Sequence, residues 1–282
     1  MDANYEVCGA ESVSLQPPIM ISGATMSRFV LALILIAGSC LPLTAQDDRL
    51  PELDFEEVTL KDEAIPYFAV GIGPTISYGM LPVDDINAHI SSLSLGLGEL
   101  SSGMVFTGVD IYSALGVIPN VRAGFSWITG SSSTTATGSV GGVDVQRRYT
   151  YDVGLRTVYF DYAIIPVRSF TILPGVGLGW GRQTIELTEG VATRPWTDVQ
   201  NGPVSPDRYL HVDRGIIFAQ PRLNLEYTVT PFLLLRAQAA YNMQIQAADW
   251  QSQKTTTVTG VPDGIKVQNL AVQFGVFVGL FN

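Results

Sequence analysis

Between Tyr67 and Gly79 apolar and small-or-polar residues alternate one by one. Phe68, Val70, Ile72, Pro74, Ile76 and Tyr78 share one parity, and Ala69, Gly71, Gly73, Thr75, Ser77 and Gly79 share the other. A strand has period two, so this stretch predicts a strand with one apolar face and one small or polar face. The same alternation predicts strands near 66–80, 103–115, 119–131, 146–165, 169–187, 212–229, 232–248 and 267–281.

The gaps between these segments alternate between long and short. Residues 81–102, 132–145, 188–211 and 249–266 are long, whereas Gly116–Asn120, Pro166-Val167-Arg168 and Thr230-Pro231 are short. Eight antiparallel strands would place both termini and all three short turns at one end and the long loops at the other. Outer-membrane barrels have that asymmetry. The expected fold is therefore all-β, an antiparallel transmembrane β-barrel of about eight strands. Ten strands is the alternative if a long loop folds into another hairpin.

Parity then assigns the interior. On one strand Gln220, Arg222, Asn224 and Glu226 point in, and on the next Leu234, Arg236, Gln238, Ala240, Asn242 and Gln244 do. Gly175, Gly177, Gly179 and Gly181 face in on the fifth strand, as do Ala271, Gln273, Gly275 and Gly279 on the last. Asp110, Arg122, Asp152 and Arg156 are also assigned inward. An Arg or Lys on a lipid face at the bilayer midplane costs roughly 2–4 kcal/mol. The expected interior is thus a network in which Arg122, Arg156, Arg222 and Arg236 pair with Asp110, Asp152 and Glu226. Asp161 falls on the outward parity, which calls for a bulge or a membrane-edge position. Aromatic residues such as Trp127, Trp180, Tyr227 and Tyr241 lie near strand ends, as interfacial girdles do.

One helical pattern interrupts the strands, in the first long loop. Asp84 or Asp85 can cap it after Pro82, Ile86, Ile90, Leu93 and Leu97 recur at helical spacing, and Gly96 or Gly98 can end it. Its apolar stripe can cross the mouth, lie on the membrane interface, or dip into the space left by the interior glycines.

The start of the chain reads differently. Residues 1–25 are acidic, and a secretory signal pattern begins only at Met26: Ser27-Arg28, the apolar run Phe29–Ala37, and Leu43-Thr44-Ala45 before Gln46. The run is too short to span a bilayer, which takes about 20 residues. Residues 1–45 are read as an early start plus a signal peptide cleaved after Ala45; a lipoprotein signal ending at Cys40 is the rival. Residues 46–64 hold eight acids and two bases of a chain whose net charge is −10, and read as a flexible acidic lead-in to the barrel at 65–282. Cys8 and Cys40 are the only cysteines, so cleavage after Ala45 would leave none for disulfides, thiol chemistry or metal. Mean hydropathy is +0.25. The clustered basic residues of a nucleic-acid binder are missing.

Catalytic motifs are equally sparse: no nucleotide loop, zinc spacing or nucleophile elbow occurs. The two histidines each have polar neighbours, His211 with Asp213 and Ser205, His89 with Asp84, Asp85 and Ser91. The Ser/Thr/Gly run from Gly130 to Gly142 reads as a flexible loop tip. No cofactor or metal is expected.

On strand rhythm, loop asymmetry and the final strand Leu270–Phe281, residues 65–282 resemble small outer-membrane barrels such as the outer membrane protein A transmembrane domain and its eight-stranded relatives. Such chains usually end in an aromatic residue read by the barrel-assembly machinery; here Phe281 is penultimate. The resemblance implies outer-membrane lipid and that machinery as partners. At eight strands an interior is just wide enough to be filled by side chains. The leading expectation is a non-enzymatic outer-membrane barrel with a filled polar lumen, structural or surface-binding through external loops. The alternatives are a narrow pore for small solutes and, third, an enzyme at the outer rim.

Overall fold

The computed structural model describes residues 67–167, 169–199 and 207–282. The proposed signal and lead-in segments, and Ser205, lie outside them. The elements are β1 (Ala69–Met80), α1 (Asp84–Ser92), β2 (Gly103–Ala114), β3 (Val121–Val140), β4 (Val143–Tyr162), β5 (Ile164–Val167), β6 (Phe170–Val191), α2 (Trp196–Val199), β7 (Arg208–Thr230), β8 (Leu233–Ala247), β9 (Gln251–Ser252), β10 (Thr256–Thr257) and β11 (Asn269–Phe281). Among the described residues no helix is long and apolar enough to cross a membrane, which says nothing of crossing by strands.

Eight of the strands are long and antiparallel. Pairing passes from β1 through β2, β3, β4, β6, β7 and β8 to β11, and β11 pairs back to β1 with Ala69 opposite Phe281 and Gly79 opposite Ala271. Strict alternation of burial follows. On β1 every second residue is buried and every other one exposed, and β11 repeats this almost to its end. The exposed set is apolar: Ile72, Ile76 and Tyr78 on β1, Val176 and Leu178 on β6, Phe274 and Val276 on β11. The parities predicted for β1, β7, β8 and β11 hold. The three short connections that follow Ala114, Val167 and Thr230 begin at the end where Tyr67 and Asn282 also lie. We call this the turn end and the opposite one the loop end.

The long loops are shorter than the alternation suggested. The Ser/Thr/Gly segment is ladder, not a loose tip: Ser131 through Val140 pair with Val143 through Asp152, joined by Gly141-Gly142. Both glycines have positive φ, +60° and +82°. A two-residue hairpin turn of the type favoured by strand twist needs that conformation at both central positions. Ser and Thr carry no apolar alternation, so period alone could not mark this ladder; the Gly-Gly pair was the local signal. β6 and β7 likewise extend their pairing to Glu189–Arg208. In the last long loop β9 and β10 form a two-rung hairpin, with β9 paired to β7.

Two apolar clusters occupy the buried face. One, at the turn end, holds Tyr67, Tyr112, Tyr159, Leu173, Leu234, Phe277 and Phe281. The other, at the loop end, holds Ile86, Ile90, Met104, Phe106, Leu155, Phe218, Trp250 and Val267. Buried glycines make room for these rings. A Cβ on Gly179 would lie 2.2 Å from the Phe218 ring, and one on Gly73 would lie 2.0 Å from the Val276 carbonyl. The glycine-lined space is thus filled by neighbouring strands and not by the loop helix.

Gly142→Val forces a β-branched residue into the left-handed region, at a cost of about 1–2 kcal/mol. Amide exchange over residues 131–152 should be slow in the parent chain and accelerate about tenfold in this variant. Unprotected amides there in the parent would contradict the hairpin.

Candidate functional site

Three basic and three acidic side chains meet on the buried face near the turn end: Arg122, Arg222 and Arg236 with Asp110, Asp161 and Glu226. All are buried, and Arg122 and Asp110 have no exposed surface. Arg122 on β3 lies opposite Asp161 on β4, and Glu226 on β7 lies opposite Arg236 on β8, so sheet register alone brings two pairs together. The other ion pairs join strands that are not neighbours in the sheet.

Arg122 binds in two directions. Its Nε and Nη2 donate to Asp161 Oδ2 at 2.9 and 2.8 Å, while Nη1 donates to Glu226 Oε1 at 2.5 Å and to the Tyr67 hydroxyl at 3.2 Å. Arg236 Nε donates to the same Glu226 oxygen at 2.6 Å, and its Nη1 reaches Asp110 Oδ2 at 3.3 Å. Arg222 Nη2 donates to Gln238 at 2.6 Å and to Asn224 at 3.2 Å, and its Nε lies 3.5 Å from Asp161 Oδ1. Tyr159 donates to Asp110. The rings complete the packing: the Arg222 guanidinium lies 3.7 Å from the Tyr159 centroid, and that of Arg236 lies 4.2 Å from Tyr112 and 4.1 Å from Phe277. Planar guanidinium suits such stacking while it still hydrogen-bonds at its edge. A Cβ on Gly175 would lie 1.8 Å from Asp161 Oδ1, so only glycine lets that carboxylate in.

Three positive and three negative charges balance. A buried ion is tolerable only when paired and hydrogen-bonded. Each of the six, from β2, β3, β4, β7 and β8, has an oppositely charged neighbour and at least one hydrogen bond, while Asp161 Oδ1, Arg222 Nε and Arg236 Nη2 have no hydrogen-bond partner. Towards the loop end a neutral polar layer follows: Gln220 donates to Asn242 at 2.8 Å, and Asn242 to Asn269 at 3.0 Å. Beyond it sits the apolar cluster capped by α1.

The sequence assigned seven charges to this interior. Asp110, Arg122, Arg222, Glu226 and Arg236 do meet. Asp152 and Arg156 do not: Asp152 is half-buried and Arg156 is exposed on the other face of β4, its guanidinium 5.6 Å from the Trp127 centroid. β4 is in the opposite phase to the one predicted. No bulge is involved, since its register with β3 is unbroken from Val121 to Val140. Val158, Phe160 and Tyr162 form the exposed apolar row, which turns Tyr159 and Asp161 inward. That row was the signal available in the sequence. Tyr67, Tyr112 and Tyr159 were also missed as members, because tyrosine fits either face of a sheet.

The loop helix is shorter than predicted. It ends at Ser92, and Asp84 and Asp85 lie in its first turn without capping it. Ile86 and Ile90 are buried, while Leu93 and Leu97 pack against the same cluster from beyond the helix. Asn87 clamps the returning chain: Leu100 N donates to its Oδ1 at 2.8 Å and its Nδ2 donates to Leu100 O at 3.0 Å. Gly264 N donates to Asp85 at 2.9 Å, tying the helix to the last loop.

At the loop end a cavity of about 1200 Å³ lies among β3, β4, β6 and β7. Arg147, Arg148, Arg194 and Arg208 line it with Glu189 and Asp207; Arg147 pairs with Glu189 and Arg194 with Asp207. His211 lies on the exposed parity of β7. Its Nδ1 is 2.9 Å from Glu186 and its Nε2 3.5 Å from Asp213. The Tyr209 hydroxyl also lies 3.4 Å from Nδ1, and the Tyr209 ring stacks on the imidazole at 6.2 Å. His89 is exposed on α1, its ring 6.3 Å from that of Tyr149. Among the described residues no group of His, Cys, Asp or Glu is arranged to hold a metal ion.

No family model matches the chain, and no curated protein does. Among solved structures it is similar to Ail, the attachment invasion locus protein of Yersinia pestis, in complex with the heparin analogue sucrose octasulfate. That match has 10% identity, covers 76% of this chain and 99% of that one, and scores a TM of 0.34. CarO of Acinetobacter baumannii matches at 12% identity over 78% and 100%, with a TM-score of 0.32. The outer membrane protease OmpT of Escherichia coli matches at 8% over 77% and 95%, with a TM-score of 0.25. At TM-scores of this order these matches carry no argument about the chain, and none of them ties down the narrower resemblance to the outer membrane protein A transmembrane domain.

Proposed function

We propose that residues 67–282 form a closed eight-stranded barrel across a bacterial outer membrane, with a filled interior and no enzymatic role. In this reading the protein acts structurally or binds surface ligands through its loop end. The observation that carries it is the neutral six-charge cluster, sealed among tyrosines and phenylalanines on the turn-end side. A solute path would need those charges hydrated and spaced. A second obstruction supports the same reading: Ile86 and Ile90 of α1 sit buried among Met104, Phe106 and Trp250 at the loop end. The exposed apolar row on each strand supports a lipid surround, since water would not tolerate so much contiguous apolar area on a monomer. Outer-membrane lipid and, through the strand ending at Phe281, the barrel-assembly machinery are the partners this implies. The arginine-rich cavity at the loop end suits an anionic surface group.

Three measurements test the reading. Unboiled chain refolded in lipid vesicles should migrate differently from boiled chain on electrophoresis; identical migration together with a soluble fraction would overturn the barrel. In planar bilayers the purified protein should show no stable conductance, and uniform resolved channels would favour the pore instead.

Glu226→Ala should cost about 3–5 kcal/mol in urea unfolding from lipid, because it leaves Arg122 and Arg236 sharing too little negative charge. Arg236→Ala should cost a similar amount. The double variant should fall short of the sum by about 0.5–3 kcal/mol, as neighbours in one network do. A loss of only a few tenths of a kcal/mol for Glu226→Ala would mean a hydrated lumen.

A further inference from the structure

The charges nearest the apolar band at its loop-end edge are both basic and both face outward. On β4 the exposed row Tyr162, Phe160, Val158 ends at Arg156. On β6 the row Val176, Leu178, Trp180 ends at Arg182, whose side chain is 61% exposed. Register places Arg156 directly between two tryptophans, Trp127 on β3 and Trp180 on β6. Both indoles are about half exposed, at 48% and 44%.

Arg182 lies opposite Gly154, two residues along β4 from Arg156. The two arginines are therefore diagonal neighbours on one face, roughly 7–8 Å apart at the backbone. The floor beside them is bare. A Cβ on Gly154 would meet only a Thr129 methyl at 3.8 Å, and one on Gly215, opposite Arg182, would meet nothing within 4 Å. Nearby carboxylates stand farther from the band. Asp213 reaches Arg182 Nε at 3.5 Å, and Asp152 is half-buried one rung beyond Gly154. Among the described ion pairs Arg156 has no carboxylate; its guanidinium lies over the Trp127 ring.

Such a placement has a chemical meaning. Tryptophan marks the depth at which hydrocarbon gives way to headgroups, and guanidinium pairs bidentately with phosphate oxygens. We propose that Arg156 and Arg182, set at the band edge with Trp127 and Trp180, form a binding site for the phosphate of a phospholipid headgroup in the leaflet at the loop end. The inference rests on the membrane reading above and goes beyond it by assigning a ligand to a particular face.

The full chain, refolded into phosphatidylcholine vesicles doped with phosphatidic acid, would be extracted in mild detergent and its retained lipid weighed by mass spectrometry. Phosphatidic acid should be enriched about tenfold over the vesicle composition. Arg156→Gln with Arg182→Gln should abolish the enrichment while heat-modifiable migration stays. Lys254→Gln, which removes an exposed cation from the turn between β9 and β10, should leave the enrichment intact. No enrichment in the parent, or equal enrichment in the double variant, overturns the site while leaving the barrel standing. Stripping of the lipid by inorganic phosphate would mean a free-phosphate site and overturn the lipid assignment. Failure of the parent chain to insert even into pure phosphatidylcholine overturns the membrane reading itself.

Discussion

Backbone pairing that runs from β1 round to β11 and back to β1 is the constraint on which the rest depends. An unpaired peptide group away from water costs several kcal/mol, so in the membrane setting proposed above the sheet would need strands with no open edge. Once pairing is complete, parity decides which side each residue takes. In the closed barrel proposed above, eight strands would leave an interior that side chains can just fill. The large rings of Phe106, Phe218 and Phe277 then need glycines beside them, and those glycines are present on β1, β6 and β11.

On the buried face the three arginines do two kinds of work. Their edges meet Asp110, Asp161 and Glu226, and their faces stack on Tyr112, Tyr159 and Phe277. Lysine supplies neither the fork nor the face. Because the six side chains belong to five strands, the cluster joins strands that are not paired as well as neighbours. The apolar cluster around α1 does the corresponding work at the other end without charge, held by Asn87 and by Asp85 at the last loop. Polar glutamine and asparagine side chains bridge the levels between.

The misassigned strand shows how far period-two reasoning carries. β4 has charged residues on both parities: Asp152 and Arg156 on one, Asp161 on the other. Charge alone therefore cannot choose the phase. The choice depends on how many partners the interior offers. Inward Asp161 finds Arg122 directly across the ladder, whereas Arg156 facing inward would add a fourth cation to three carboxylates. Turned outward, Arg156 meets Trp127 and the edge of the apolar band instead. Loop lengths failed for another reason. Serine and threonine carry no apolar alternation, so the β3–β4 ladder beyond residue 131 is set by pairing between strands and by the Gly141-Gly142 turn.

Sequence by itself determined the class of fold, the order of the eight long strands, the side to which both termini return, and the facing of β1, β7, β8 and β11, because alternation and turn chemistry are local properties. It also placed Arg222 and Glu226 on one face of β7 and put Arg236 within reach of Glu226. Only tertiary structure decided that Arg122 bridges Asp161 and Glu226, that Tyr67 and Tyr159 complete the cluster, and that Ile86 and Ile90 close the loop end. Those contacts join residues from strands that are not neighbours in the sheet, and their geometry depends on how the strands are placed relative to one another and on which side chains already fill the buried face. That placement is a property of the strands together, so no single segment encodes it.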